Sequence, residues 1–348
     1  MIERSLVSLL NEAIERRQPF IDPLHWSALR LFNGFTEGCA DLVIDLYGET
    51  VVLHNHADPP ARGQPTVRAA QEVVRGALPW LQAAVIKTRN SRSDDERRGL
   101  TAFGRELTSQ VREHDLWYAI DLTLHQDCSL YLDTRNLRRW ALEHLRGKTV
   151  LNAFAYTGSL GVAALGGGAS RVVQLDRTQR FLNLAKASCA LNGFSVPAQD
   201  FVRADFFHEA ARLRRLKQVF DCVFLDPPFF AATAAGTVDQ ETQSARLINK
   251  VRPLVVPGGY LVTINNAVYV SGAAYMQVLG SLCLDGHLEI TELIPVPQDF
   301  IGLSPLRHSA LITDPAPFNH STKIAVLRIR RKSNQATREE SGASGSGS

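Results

Sequence analysis

The spacing of apolar positions changes character near residue 126. Ahead of it, Leu6, Leu9, Leu10 and Ile14 recur at helical intervals, which predicts an amphipathic helix within residues 1–22. Gln18-Pro19 ends it, because proline disfavours helical backbone in the residue before it. Apolar runs at 41–47 and 50–54 flank Gly48-Glu49 and predict a β-hairpin. A helix is predicted over 66–78 and strands over 83–88 and 117–123, with a polar loop at 90–98. Residues 23–125 thus read as a small α+β domain.

From 126 to 332 the pattern becomes a regular alternation of strand and helix, the signature of a doubly wound α/β sheet. Seven strands are predicted, at 149–152, 171–175, 201–204, 220–225, 260–265, 288–295 and 323–329. Helical segments, including 178–191 and 241–251, separate the first six. Only a proline-bearing loop joins the last two, which predicts an antiparallel pair. Residues 333–348 are small and polar and read as a disordered, linker-like tail.

The 348 residues are enough for two domains. With 45% hydrophobic and 21% charged residues, the chain has ordinary globular composition. No apolar run approaches the roughly 20 residues of a membrane span, and the N-terminus lacks the form of a signal peptide. We therefore expect a cytoplasmic protein without membrane contact. The five cysteines are dispersed and include no C-x-x-C pair, which argues against a disulfide framework and a structural metal site. A net charge of +3 permits a nucleic-acid partner without requiring one.

Candidate chemistry gathers at strand ends. The apolar run 220–225 stops at Asp226-Pro227-Pro228-Phe229-Phe230, where two prolines hold the chain extended and present a carboxylate and two rings beyond the strand. In open α/β sheets that edge is where ligands bind. The first strand of the second half runs into Asn152-Ala153-Phe154-Ala155-Tyr156-Thr157-Gly158-Ser159, where a glycine allows close approach of a ligand and a serine can cap the next helix. Asp176 closes the next strand, at the position from which a carboxylate accepts ribose hydroxyls, with capping of the following helix as the alternative. Asp205-Phe206 offers a carboxylate and a ring for an adenine, although Asp205 is an equally good cap. No G-x-G-x-x-G fingerprint is present, which argues against a dinucleotide. Lys87, Arg89, Arg92, Arg97 and Arg98 could meet phosphate, but Asp94, Asp95 and Glu96 interrupt them and a solvated turn is favoured.

The order NAFAYTG, QLD, RADFF, FLDPPFF and TINN resembles a class I S-adenosylmethionine methyltransferase. More narrowly, it is similar to the bacterial large-subunit (23S) ribosomal RNA methyltransferases that act on cytosine C5 or guanine N7. The likeness spans roughly residues 29–330 and includes LVIDLYG at 42–48 and YLDTR at 131–135. It implies a Rossmann-like seven-stranded sheet behind a smaller N-terminal α+β domain, S-adenosylmethionine as cofactor, and ribosomal RNA or a ribosomal subunit precursor as partner. The implied cofactor contacts are Arg135, Asn152, Phe154, Tyr156, Thr157, Gly158, Asp176, Arg177, Asp205, Phe206 and Asp226. Arg135 could pair with the cofactor's carboxylate, or with Asp133.

The same likeness bears on the base. Cytosine-C5 members carry a cysteine after the fifth strand that adds to the ring, whereas this chain has Asn265-Asn266 there, as guanine-N7 members do. Cys222 lies inside a strand and is expected to pack rather than react. Guanine N7 has a free lone pair and needs orientation only. Asp226 is therefore expected to orient the base, helped by the Pro227 and Pro228 carbonyls, with Phe229 or Phe230 stacked on it and Asn265 and Asn266 completing the pocket. Core packing is the competing expectation for one of the two phenylalanines, and a loop cap for the asparagines. Alternatives are cytosine C5, a small-molecule or protein substrate, or a non-catalytic RNA-binding assembly factor on the same fold. Many cytosine-C5 members begin with a PUA-type module; with a short helix in that place, RNA docking is expected to use the small domain or an assembled particle. His308, His320 and the basic run 212–217 carry no assigned role.

Overall fold

The computed structural model describes residues 5–301 and 313–330; residues 1–4, His308 and the predicted tail at 333–348 lie outside them. Helix α1 (Leu6–Arg17) is capped by Ser5 and buries Leu10, Ala13 and Ile14, and a single 3-10 turn at Gln18–Phe20 follows it. Strands β1 (Ala28–Asn33), β2 (Leu42–Tyr47), β3 (Thr50–Asn55), β4 (Ala83–Thr88) and β5 (Leu100–Phe103) form one sheet in that order. The one-turn helix α2 (Gly34–Glu37) follows β1, and α3 (Pro60–Ala77) is the crossover that makes β3 and β4 parallel. Another one-turn helix, α4 (Asp94–Arg98), capped by Ser93, occupies the end of the predicted polar loop. Strands β6 (Gln110–Glu113) and β7 (Leu116–Ala119) make a separate hairpin.

The second half opens with α5 (Arg135–His144) and then alternates: β8 (Thr149–Ala153), α6 (Ser159–Gly166), β9 (Arg171–Asp176), α7 (Gln179–Leu191), β10 (Phe201–Arg203), α8 (Phe206–Arg215) and β11 (Phe220–Leu225). A small hairpin follows, β12 (Phe230–Thr233) and β13 (Gly236–Asp239). The chain then runs through α9 (Ser244–Val251), β14 (Val255–Asn265), α10 (Gly272–Cys283), β15 (Leu288–Ile294), the single turn α11 (Gln298–Ile301) and β16 (Lys323–Ile329). The sheet order is β10-β9-β8-β11-β14-β16-β15. Its first five strands are parallel, and β16 is antiparallel to both neighbours, as the loop between the last two predicted strands implied.

Alternation along β11 explains the layering. Val223 and Leu225 face a core built with α8, α9 and α10, whereas Cys222 and Phe224 face one built with α5 and α6. Each residue pair on one strand thus seals a different face, which is why the run is continuously apolar. Sheet order reverses between β8 and β11, and a crevice opens beyond their carboxyl ends at such a switch point.

The two sheets are tied by buried polar contacts around α11. Asp299 takes a bidentate pair from Arg135 (2.8 and 3.2 Å) and the backbone N–H of Arg30 (2.9 Å). Arg17, wholly buried, pairs with Glu37 at 2.7 Å and donates to the Asp299 carbonyl at 2.8 Å. Asn33 donates to the Phe300 carbonyl at 2.6 Å. Such buried charges hold because each is paired with an opposite charge or a polar group, although Arg17 Nε itself has no partner among the described residues. No helix among the described residues is long and apolar enough to cross a membrane.

Candidate active site

A cleft of about 790 Å³ lies at the carboxyl ends of β8, β9, β10 and β11. The turn after β8 sets one wall. Phe154 (φ 59°) and Tyr156 (φ 50°) both adopt left-handed backbone, which costs of order 1 kcal/mol or more for a side chain with a Cβ. Three bonds hold it: Tyr156 N–H to Asp176 Oδ2 (2.9 Å), Ala155 N–H to the Leu175 carbonyl (2.8 Å) and Gly158 N–H to the Ala155 carbonyl (2.8 Å). Gly158 (φ 78°) starts α6, where a Cβ would lie 2.5 Å from that of Ala185.

Asp176 serves two neighbours and still faces the cleft. Its Oδ1 accepts the Thr178 N–H at 2.8 Å and its Oδ2 that of Tyr156, so each oxygen retains capacity for a further donor. Burial raises its pKa despite those bonds. Asp205 caps α8 through Oδ1 alone, from Phe207 N–H (2.8 Å) and His208 N–H (3.3 Å). Its Oδ2 has no hydrogen-bond partner among the described residues. Phe154 and Phe206 face each other with ring centres 4.4 Å apart, and both line the cleft.

The other wall is Asp226-Pro227-Pro228-Phe229-Phe230. Burial, then the nearby charge of Asp133, pushes the Asp226 carboxyl up to about 7. Phe229 (43% exposed) and Phe230 (61%) both stand open, so the expectation that one packs in the core is not met. The two prolines bar continuation of the ladder, and the rings are held out by β12 rather than buried by it.

Gln240, just past β13, fastens this wall, and sequence reasoning missed it. Its side chain donates to the Pro227 carbonyl and accepts the Asn266 N–H at 2.6 Å. Its backbone N–H donates to the Phe229 carbonyl (3.0 Å), and its carbonyl accepts from Asn265 Nδ2 (2.9 Å). The Pro227 carbonyl thus already accepts one hydrogen bond, from Gln240. Asn265, only 1% exposed, is consumed in the same junction, with Oδ1 accepting the Ala267 N–H at 3.0 Å; it caps the loop, and Asn266 alone of the pair lines the cleft. Only a lone Gln in a turn signalled this clamp. Replacing Gln240 with leucine strands the buried Pro227 carbonyl, which costs about 1–3 kcal/mol. Denaturant unfolding should show that loss, and the transfer rate should fall roughly tenfold or more as the loop loosens.

Several expected cofactor contacts lie outside the lining. Arg135 pairs with Asp299 and, at 3.4 Å, with Glu113, not with Asp133, and it does not reach the cleft. Asp133 does line the cleft, and accepts from Thr322 Oγ1 at 2.8 Å. Asn152 is buried and donates to Gln174 Oε1 at 2.8 Å; Thr157 is buried and donates to the Ser129 carbonyl. Arg177 faces the cleft, as does Arg89 from the small sheet, which pairs with Asp127 at 3.1 Å. Lys87 is buried, donating to the Arg98 and His125 carbonyls, and cannot meet phosphate. Cys222 is fully buried and its thiol pushed up by burial, away from the cleft. Burial holds His320 near 3, hence neutral.

Five parallel strands reversing order beside a carboxylate-lined crevice, closed by an antiparallel last pair, are the architecture of the class I methyltransferases. The chain belongs to the S-adenosylmethionine-dependent methyltransferase family, whose model matches residues 48–292. It is similar to "Ribosomal RNA large subunit methyltransferase I" of Photobacterium profundum, 33% identical over 52% of this chain and 45% of that one. The corresponding protein of Aeromonas salmonicida is 27% identical over 83% and 74%. "Ribosomal RNA large subunit methyltransferase K/L" of Syntrophotalea carbinolica is 31% identical over 65% and 32%. The chain therefore spans from about a third to three quarters of these relatives' lengths. A Streptococcus mutans structure assigned as a SAM-dependent methyltransferase shares the fold, with a TM-score of 0.78 at 21% identity over 93% of this chain and 81% of that one. The donor set fits S-adenosylmethionine: carboxylates at the ends of β9 and β10 suit hydroxyls and an amine, and the Phe154–Phe206 pair suits a base.

Proposed function

We propose that this chain methylates a base of large-subunit ribosomal RNA in the cytoplasm, with guanine N7 as the acceptor atom. The observation that carries it is that Asp226 and Asn266 line one cleft whose lining, among the described residues, contains no thiol. Without a thiol to add to the ring, cytosine C5 is poorly served, whereas N7 already holds a lone pair. The names of the relatives supply the RNA class. S-adenosylmethionine supplies a methyl group on a sulfonium, held by Asp176, Asp205, Phe154 and Phe206. The chain's remaining tasks are to aim the base and exclude water.

Phe229 stacks on the extruded purine, a contact worth roughly 1–3 kcal/mol. Asp226 and the Asn266 amide meet its O6 edge. Beside N7, O6 is an acceptor, so a neutral Asp226 carboxyl donates to it and an ionised one repels it. With the carboxyl raised to about 7, kcat/KM falls as pH rises through that value. A rise instead would mean that the ionised group accepts from an exocyclic amine, and N7 would be the wrong atom. Mass spectrometry of ribosomal RNA nucleosides from deletion and parent strains tests the reading directly: loss of 7-methylguanosine is expected, and identical nucleosides would remove ribosomal RNA as the substrate.

A further inference from the structure

Two exposed aromatic rings at the cleft's mouth have no part in the reading above. Phe230 begins β12, and Tyr269 sits in the turn after β14, 64% exposed; both line the cleft beside Phe229. Neither has a ring contact among the described residues, whereas Tyr131, Tyr156, Phe154 and Phe206 of the same cleft each pack against another ring. Val268, 38% exposed, extends the same surface.

The turn that carries Tyr269 is firmly held. Ala267 N–H donates to Asn265 Oδ1 at 3.0 Å, and the Ala267 carbonyl accepts both the Val270 N–H (3.2 Å) and the buried Lys323 ammonium (3.0 Å). Thr313 Oγ1 donates to the Val268 carbonyl at 2.9 Å. The same ammonium also donates to the Ser321 carbonyl; desolvating a lysine in this way is costly, and burial lowers its pKa to about 8. On the opposite side, Phe230 is fixed by its pairing with Asp239 across the hairpin. A backbone held in place at both positions limits the ordering that remains to be paid when a planar ligand stacks on the exposed rings. Arg177, which has no ion-pair partner among the described residues, and Arg89 line the same cleft and suit phosphates.

We propose that Phe230 and Tyr269 form a second nucleobase site at the rim, which stacks a base flanking the methylated nucleotide on the RNA strand. This rests on the RNA reading above and adds to it a contact that holds the strand while the target base is extruded. Stacking of this kind tolerates any base, because every base has a π-face.

The test is equilibrium binding, with S-adenosylhomocysteine present, of a labelled 12-nucleotide polyadenylate RNA and of an abasic oligomer with the same ribose-phosphate backbone. The parent protein is expected to prefer the RNA carrying bases by tenfold or more. Tyr269→Ala and Phe230→Ala should each cut that preference several-fold to tenfold, while Tyr269→Trp retains it and Tyr269→Leu does not. Unchanged S-adenosylhomocysteine affinity in the Tyr269 variants would show that the fold is intact. If the parent prefers bases and the alanine variants match it, the rim site is overturned and the RNA reading stands. If the parent binds both oligomers equally, the backbone alone is recognised and the rim site is again overturned. If the parent binds neither, a naked-RNA substrate is lost, and the rim site with it.

Discussion

Asp226→Ala stops methyl transfer, with a fall of roughly three orders of magnitude expected in single-turnover rate, while affinity for S-adenosylhomocysteine stays within a few fold. The magnitude is that of removing one well-placed polar group from a water-poor site. Single-turnover transfer from labelled cofactor and calorimetric titration of S-adenosylhomocysteine measure the two quantities separately. Asp226→Asn adds a stability readout. The folded-state pKa, about 7, lies above the ordinary 3.8, so folding takes up a proton between those values. Stability associated with the protonated carboxyl is complete below about pH 4 and lost as pH rises through 7. The asparagine variant has no such ionisation and should gain on the parent as pH rises from about 4 to 7, with the difference level above that. A constant difference in unfolding free energy between pH 4 and 8 would contradict the raised pKa.

Asp176→Ala gives the opposite partition. Hydrogen bonds to a charged group are worth about 1.5–3 kcal/mol each, so cofactor affinity should fall between ten- and a hundredfold or more. Saturating cofactor should restore part of the transfer rate. The alanine also frees the Tyr156 N–H, which helps to hold a strained turn, so Asp176→Asn is the milder companion. Titration of both variants with S-adenosylhomocysteine checks this. Equal cofactor loss in Asp226→Ala and Asp176→Ala would end the division between a base-facing and a cofactor-facing carboxylate.

The parallel strands were legible because burial on both faces leaves continuous apolar runs, as in β11, and because Gln18-Pro19 and Asp226-Pro227 mark local stops. Strand β1 was not: its apolar residues Leu29, Leu31 and Phe32 pack in the small domain's core, while its Arg30 N–H and Asn33 amide are met by Asp299 and Phe300, some 270 residues further on. Helix α3 starts six residues earlier than its periodicity predicts: Pro60 takes its first position, where a proline costs least, and Pro65 lies inside it, a residue type that argues against helix when read from sequence. Hairpin β12–β13 reads as irregular sequence; its strands are four residues long and lie outside the main sheet. At the site, strand-end residues could be placed from the chain, as Asp176, Asp205 and Asp226 were, because a strand's end fixes which edge its successor meets. Asn152, Asn265 and Arg135 carry the same kind of polar side chain a residue or a turn away, yet are turned inward to Gln174, to Gln240 and to Asp299. Side-chain direction at a loop depends on partners remote in sequence, and so does the Gln240 junction.

That junction has a mechanical consequence. One amide spans the loop after β11 and the loop after β14, so the two cannot part without first breaking its bonds to Pro227 and Asn266. On the proposed reading the wall that receives the base is therefore braced as one piece. Admission and release are expected from the facing side, where Asp127 joins Arg89 by an ion pair and Tyr131 by a phenolic hydrogen bond.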